Sequence, residues 1–237
     1  MEGWKVAVEL AKNYADKMKI VDAAVALEIA VNLGAPREVI DFFVKRFIEK
    51  GLLSTALWAA KLGASPEVLE ELTEGCILDG WVAGSQEAAR LRGRALSTEE
   101  MERLLRCAIK QCSLNDVEEA LRLLKRRLAP EELTELVKIW WDAGWIYGGW
   151  VAMKKFGAPP ELVESFLEGC IQEGYVELVE EIARSTGKEL TGEEVERLIH
   201  SCLRKGELKS AQKAAKLIPR ELTLDELKYL NNVLNGQ

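Results

Sequence analysis

Apolar residues along this chain recur at the i, i+3, i+7, i+8 spacing of a helix that buries one face. Counted back from an anchor residue, positions −11, −8, −4 and −3 are Met101, Leu104, Ala108 and Ile109 in one segment. They are Val163, Phe166, Cys170 and Ile171 in another, and Val195, Leu198, Cys202 and Leu203 in a third. The anchors are Gly51, Gly80, Gly144, Gly174 and Gly206, with Cys112 completing the series and Lys19 opening it. Their spacings run 32, 29, 32, 32, 30 and 32 residues. Beyond each anchor a second stripe begins, apolar at +2 and small at +5 in Ala56, Ser85, Gly149 and Ala211. Alanine pairs follow at +8 and +9, as in Ala59 with Ala60 and Ala88 with Ala89, and such small residues let two helices approach closely. Each period therefore predicts a helical hairpin.

The starts of the first helices are marked. Position −13 is acidic in Glu38, Glu67, Glu99, Glu131, Glu161, Glu193 and Asp225, where a carboxylate complements the helix dipole. Just before it stand Pro36, Pro66, Pro130, Pro159 and Pro160, or Ser97, Thr191 and Thr223 with a glutamate three residues on. Proline at the first turn and the Ser/Thr–Glu box both deal with backbone donors that lack a helical partner.

One hairpin cannot bury its apolar face alone, but neighbours stacked on each other can. The expected fold is all-α: a right-handed superhelical α-solenoid of about thirteen helices in repeats of about 31 residues, forming one domain over 1–237. It is read as six hairpins and a C-terminal capping helix.

Composition narrows the function. Basic residues number 32 against 39 acidic, a formal net charge of −7, which argues against sequence-blind binding to phosphate backbones. The longest uncharged apolar run, Trp145 to Met153, falls far short of the roughly 20 residues of a membrane span, so no membrane association is expected. Five cysteines without a Cys-x-x-Cys pair fit a reduced, cytoplasmic setting, and no signal peptide is visible. Cys76, Cys170 and Cys202 share position −4 and read as core rather than as metal ligands. The single histidine, His200, sits beside Ser201 around the helix from it, unsuited to a nucleophile–base pair. No phosphate loop, metalloprotease or nucleophile-elbow motif occurs, so neither enzyme activity, cofactor nor metal is expected.

The hairpin from Leu198 through Gly206 to Ala211 resembles the tetratricopeptide and pentatricopeptide repeat superfamily: an apolar pair, a glycine at the turn and an alanine five residues later. The likeness covers essentially the whole chain as a hairpin pattern, with periods shorter than those families use. It implies a binding scaffold. Pentatricopeptide proteins read RNA with polar side chains on the first helix. The matching position, −10, holds Asp41, Glu70, Glu102, Thr134, Glu164, Glu196 and Lys228, mostly acidic.

Two surfaces are alternative candidates for binding. A groove carrying Glu70, Glu102, Glu164 and Glu196 would receive a protein or peptide segment bearing basic residues, with Trp81, Trp145 and Tyr175 at position +1 as edge anchors. Trp140 and Trp141 read as core. The alternative is single-stranded nucleic acid on the basic stretch 90–127, which holds ten basic residues against six acidic. Its candidate contacts are Arg103, Arg106, Lys110, Arg122, Lys125, Arg126 and Arg127.

Overall fold

The computed structural model describes residues 3–218 and 222–234. Among them the chain is all α-helix, with no strand. It divides into two compact units, Met1–Leu128 and Ala129–Gln237. The first holds α1 (Gly3–Asp16), α2 (Ile20–Asn32), α3 (Arg37–Glu49), α4 (Leu53–Ala60), α5 (Pro66–Leu78), α6 (Val82–Leu91), α7 (Thr98–Lys110) and α8 (Leu114–Leu124). The second holds α9 (Pro130–Asp142), α10 (Ile146–Phe156), α11 (Pro160–Gln172), α12 (Val176–Thr186), α13 (Gly192–Arg204), α14 (Leu208–Ala215) and α15 (Leu224–Leu234). Odd and even helices pair as hairpins, and neighbouring hairpins stack, odd on odd in α3, α5 and α7 and in α11, α13 and α15, and even on even in α2, α4, α6 and α8 and in α12 and α14, the pattern of a helical solenoid.

The turn inside each hairpin explains the period. Met18, Gly51, Gly80, Cys112, Gly144, Gly174 and Gly206 all adopt left-handed backbone, with φ between 54° and 80°. The residue after each donates its N–H to the carbonyl five residues before it, as Leu52 does to Phe47 (2.8 Å) and Trp145 to Trp140 (2.7 Å). This double-bonded C-cap satisfies helix-end carbonyls and reverses the chain. Two expectations change here. The first left-handed residue is Met18, not Lys19, which instead caps α2. Seven such turns join seven helix pairs, and with α15 the described helices number fifteen rather than about thirteen. The additional helices belong to the opening hairpin, where α1 and α2 meet at a turn without glycine.

The predicted helix starts form as read. Ser97 accepts from the N–H of Glu100 (3.2 Å) while Glu100 accepts from that of Ser97 (2.7 Å), and Thr191 with Glu194 repeats the arrangement. From α3 to α13 the odd helices bury position −8: Phe43, Leu72, Leu104, Leu136 and Leu198 are wholly enclosed and Phe166 nearly so. Each such side chain contributes about 1.5–3 kcal/mol by leaving water. Even helices answer with the buried alanines Ala59, Ala60, Ala88, Ala89, Ala214 and Ala215.

Candidate functional site

The charged side chains sort into ladders set by the repeat. In the first, the position −10 acid reaches the segment that follows the second helix of its own hairpin, 24 residues on. Asp41 accepts from the N–H of Ser65 (2.8 Å). Glu70 accepts from Arg94 (2.9 Å) and from Arg92, and Glu102 accepts from Arg126 through both oxygens (3.0 and 2.8 Å). Two of the four expected groove acids, Glu70 and Glu102, are thus held by the chain's own arginines. Glu164 and Glu196 are exposed, with no ion-pair partner among the described residues. The lysine 24 residues beyond Glu164, Lys188, pairs instead with Glu194 (2.9 Å).

The same pairing accounts for much of the basic stretch. Arg126 is held by Glu102, Arg103 by Glu74 and Arg122 by Glu119 (2.5 Å). Arg106, Lys110, Lys125 and Arg127 remain exposed.

A second ladder crosses between neighbouring odd helices, from position −6 of one to −9 of the next. Lys45 meets Glu71 (2.7 Å), Glu74 meets Arg103 and Glu168 meets Arg197 (2.9 Å). Lys12 stands over the ring of Phe42, 5.7 Å from its centroid. Between α9 and α11 the two positions are Lys138 and Ser165, and there the ladder lacks its acid. Those helices approach less closely than α11 and α13 do.

A groove of about 270 Å³ opens at that gap, lined by Val137, Lys138, Trp141, Ser165, Phe166 and Gly169 among others. Trp141 forms its wall. Its indole meets Phe166 edge-on at 5.3 Å and Tyr175 at 6.2 Å. It fits because residue 169 is glycine: a Cβ there would come within 2.9 Å of the Trp141 ring. Trp140 is core, as expected, at 2% exposed, but Trp141 is half-buried and faces the groove.

The three edge aromatics have different surroundings. Trp81, in the first unit, is half-buried and folded onto its own helix, with its ring on the bare Cα of Gly84. Trp145 is 62% exposed. Tyr175 is 38% exposed, joins the Trp141 cluster, and carries the Lys205 ammonium 5.3 Å from its ring centroid. The pattern reading missed Lys138, Ser165, Phe166 and Gly169 as site residues. The one available signal was serine at a −9 position occupied in other repeats by an acid, a base or an aromatic residue.

Burial pushes the thiols of Cys76 and Cys170 up to about 12 and that of Cys202 up to about 11. They are packing groups, not thiolate nucleophiles. Ser201 donates to the carbonyl of Arg197 (2.9 Å), which commits its hydroxyl within the helix. Among the described residues no three His, Cys, Asp or Glu side chains gather as metal ligands, and no helix is long and apolar enough to cross a membrane. Chemically, the groove between α9 and α11 is an aromatic cleft with Lys138 at its lip. No protein-family model matches the chain, and comparison with curated proteins finds no match.

Proposed function

We propose that the protein is a non-catalytic binding scaffold that receives a segment of a protein or peptide in the groove between α9 and α11. The observation that carries this reading is the half-buried Trp141 indole, which walls a cleft and is braced by the buried Phe166 and by Tyr175. Aromatic side chains beside a pocket are the usual anchors of protein interfaces. The resemblance to tetratricopeptide-type hairpins supports the same reading by analogy of fold, and five cysteines without a disulfide support a reduced, cytoplasmic setting. Nucleic-acid binding through 90–127 has less behind it, because Arg103, Arg122 and Arg126 are already engaged by carboxylates.

The test is selection from a displayed random-peptide library against the intact protein, followed by affinities for Trp141→Ala and for Ser165→Trp, which fills the cleft. Selected peptides should weaken about tenfold or more with either change, the loss expected of an interface anchor. Peptides indifferent to both changes, or no enrichment beside a gel shift with RNA at low salt, would end the proposal.

A further inference from the structure

We infer that the segment taken by the α9–α11 groove carries a carboxylate beside its apolar anchor, and that Lys138 receives it. The inference rests on the scaffold reading and names its partner's chemistry. The argument comes from the cross-helix ladder. In three of the pairs described above a charge at position −6 meets an opposite charge at position −9 of the next odd helix: Glu71 for Lys45, Arg103 for Glu74 and Arg197 for Glu168, while Lys12 stands over the Phe42 ring and pairs with Glu9 of its own helix. Lys138 stands in the same register, and the residue opposite is Ser165. Its ammonium has no ion-pair partner among the described residues. The carboxylates one turn away on its own helix, Glu135 and Asp142, are exposed and do not pair with it. The missing acid and the open cleft coincide. Lys138 and Ser165 line the same groove as Trp141, Phe166 and Gly169. A ligand with a Leu, Phe or Trp side chain against Trp141 and an Asp or Glu one or two residues away would restore the absent rung. Lys138 and Ser165 are both exposed, so the restored pair would be a surface one of modest worth.

Three fluorescein-labelled decapeptide pools serve as the probe. Each has a central Leu, Phe or Trp, flanked by Asp/Glu, by Asn/Gln or by Lys/Arg. At low salt the acidic pool should bind the intact protein about fivefold more tightly than the amide pool, the worth of one partly exposed charge pair. Lys138→Gln should erase that preference and Lys138→Glu should transfer it to the basic pool. Ser165→Glu supplies the rung from within, so it should also erase the preference while leaving the thermal melt unchanged or higher. Equal binding of the three pools, or an acidic preference that survives Lys138→Gln, overturns the inference and leaves the scaffold reading standing, provided Ser165→Trp still blocks binding. If no pool binds, or if binding ignores Ser165→Trp, both fall together. A single-stranded oligonucleotide that needs Lys138 while the pools fail would overturn the inference in favour of phosphate.

Discussion

Gly80, in the turn between α5 and α6, rests directly on the backbone of Ala108 in α7. A Cβ at residue 80 would lie 2.8 Å from the Ala108 nitrogen and 2.9 Å from its Cα. Gly144, the equivalent turn residue between α9 and α10, has nothing within 4 Å of such a Cβ. Both are left-handed, with φ of 73° and 80°. Alanine at 144 therefore meets only the backbone penalty, about 1–2 kcal/mol. Alanine at 80 meets that penalty and a clash with main chain that cannot rotate away, adding about 1–3 kcal/mol. Urea unfolding should show Gly80→Ala losing clearly more stability than Gly144→Ala. Equal losses would mean that the turn does not touch the next hairpin.

Cys112 poses the reverse case. It holds φ 54° in the same turn position without being glycine. Glycine adopts that conformation without the Cβ strain, although it has more freedom to lose on folding. Cys112→Gly should stabilise the protein by about 0.5–1 kcal/mol. A denaturation midpoint at or below that of the parent would show that the Cys112 side chain contributes more than its backbone costs.

The five cysteines should separate into two groups. Cys76, Cys170 and Cys202 are buried; Cys107 and Cys112 are partly exposed. A buried thiol is both inaccessible and held protonated, so a disulfide reagent at pH 8 should modify two thiols in the native protein and the remaining three only on unfolding. Fast modification of a third would place one of the buried thiols on an opening segment.

The repeat was legible because two strong local constraints coincide: a left-handed turn residue, which glycine announces, and a helical stripe that must be buried. Where a turn uses another residue, the signal fades. Met18 has nothing of glycine about it, so the first turn leaves no mark in the sequence and the opening hairpin is hidden. Trp141 failed for another reason. Position −3 is core in Ile77, Ile109, Ile171 and Leu203, and only the missing side chain of Gly169, on the next odd helix, lets the indole lie out into a cleft. Charge is legible in the sequence only as surface, because pairing depends on docking between segments 22 to 36 residues apart. Glu102 and Arg126 were assigned to opposing binding surfaces, yet they hold each other.

Glu100 gives the molecule a pH dependence with a definite sign. Its carboxylate accepts two hydrogen bonds from Arg94 (2.7 and 2.8 Å) and one from the N–H of Ser97 (2.7 Å). The Arg94 guanidinium, more than the Ser97 cap, holds its carboxyl down to about 2 in the folded protein against an ordinary value of 4.5. A group whose folded value is depressed stabilises the fold above its unfolded value and loses that contribution as pH falls through the folded one. Replacing it by Glu100→Gln keeps an acceptor near the cap but removes the charge, and should cost about 1 kcal/mol at pH 7. The gap from the parent should begin to close below pH 4.5 and be nearly gone by about pH 2, as the parent's own carboxyl takes up its proton. Urea unfolding of both proteins across that range measures it. A difference that stays constant with pH would assign the effect to the shape of the cap alone, and would mean that Arg94 adds nothing to stability through charge.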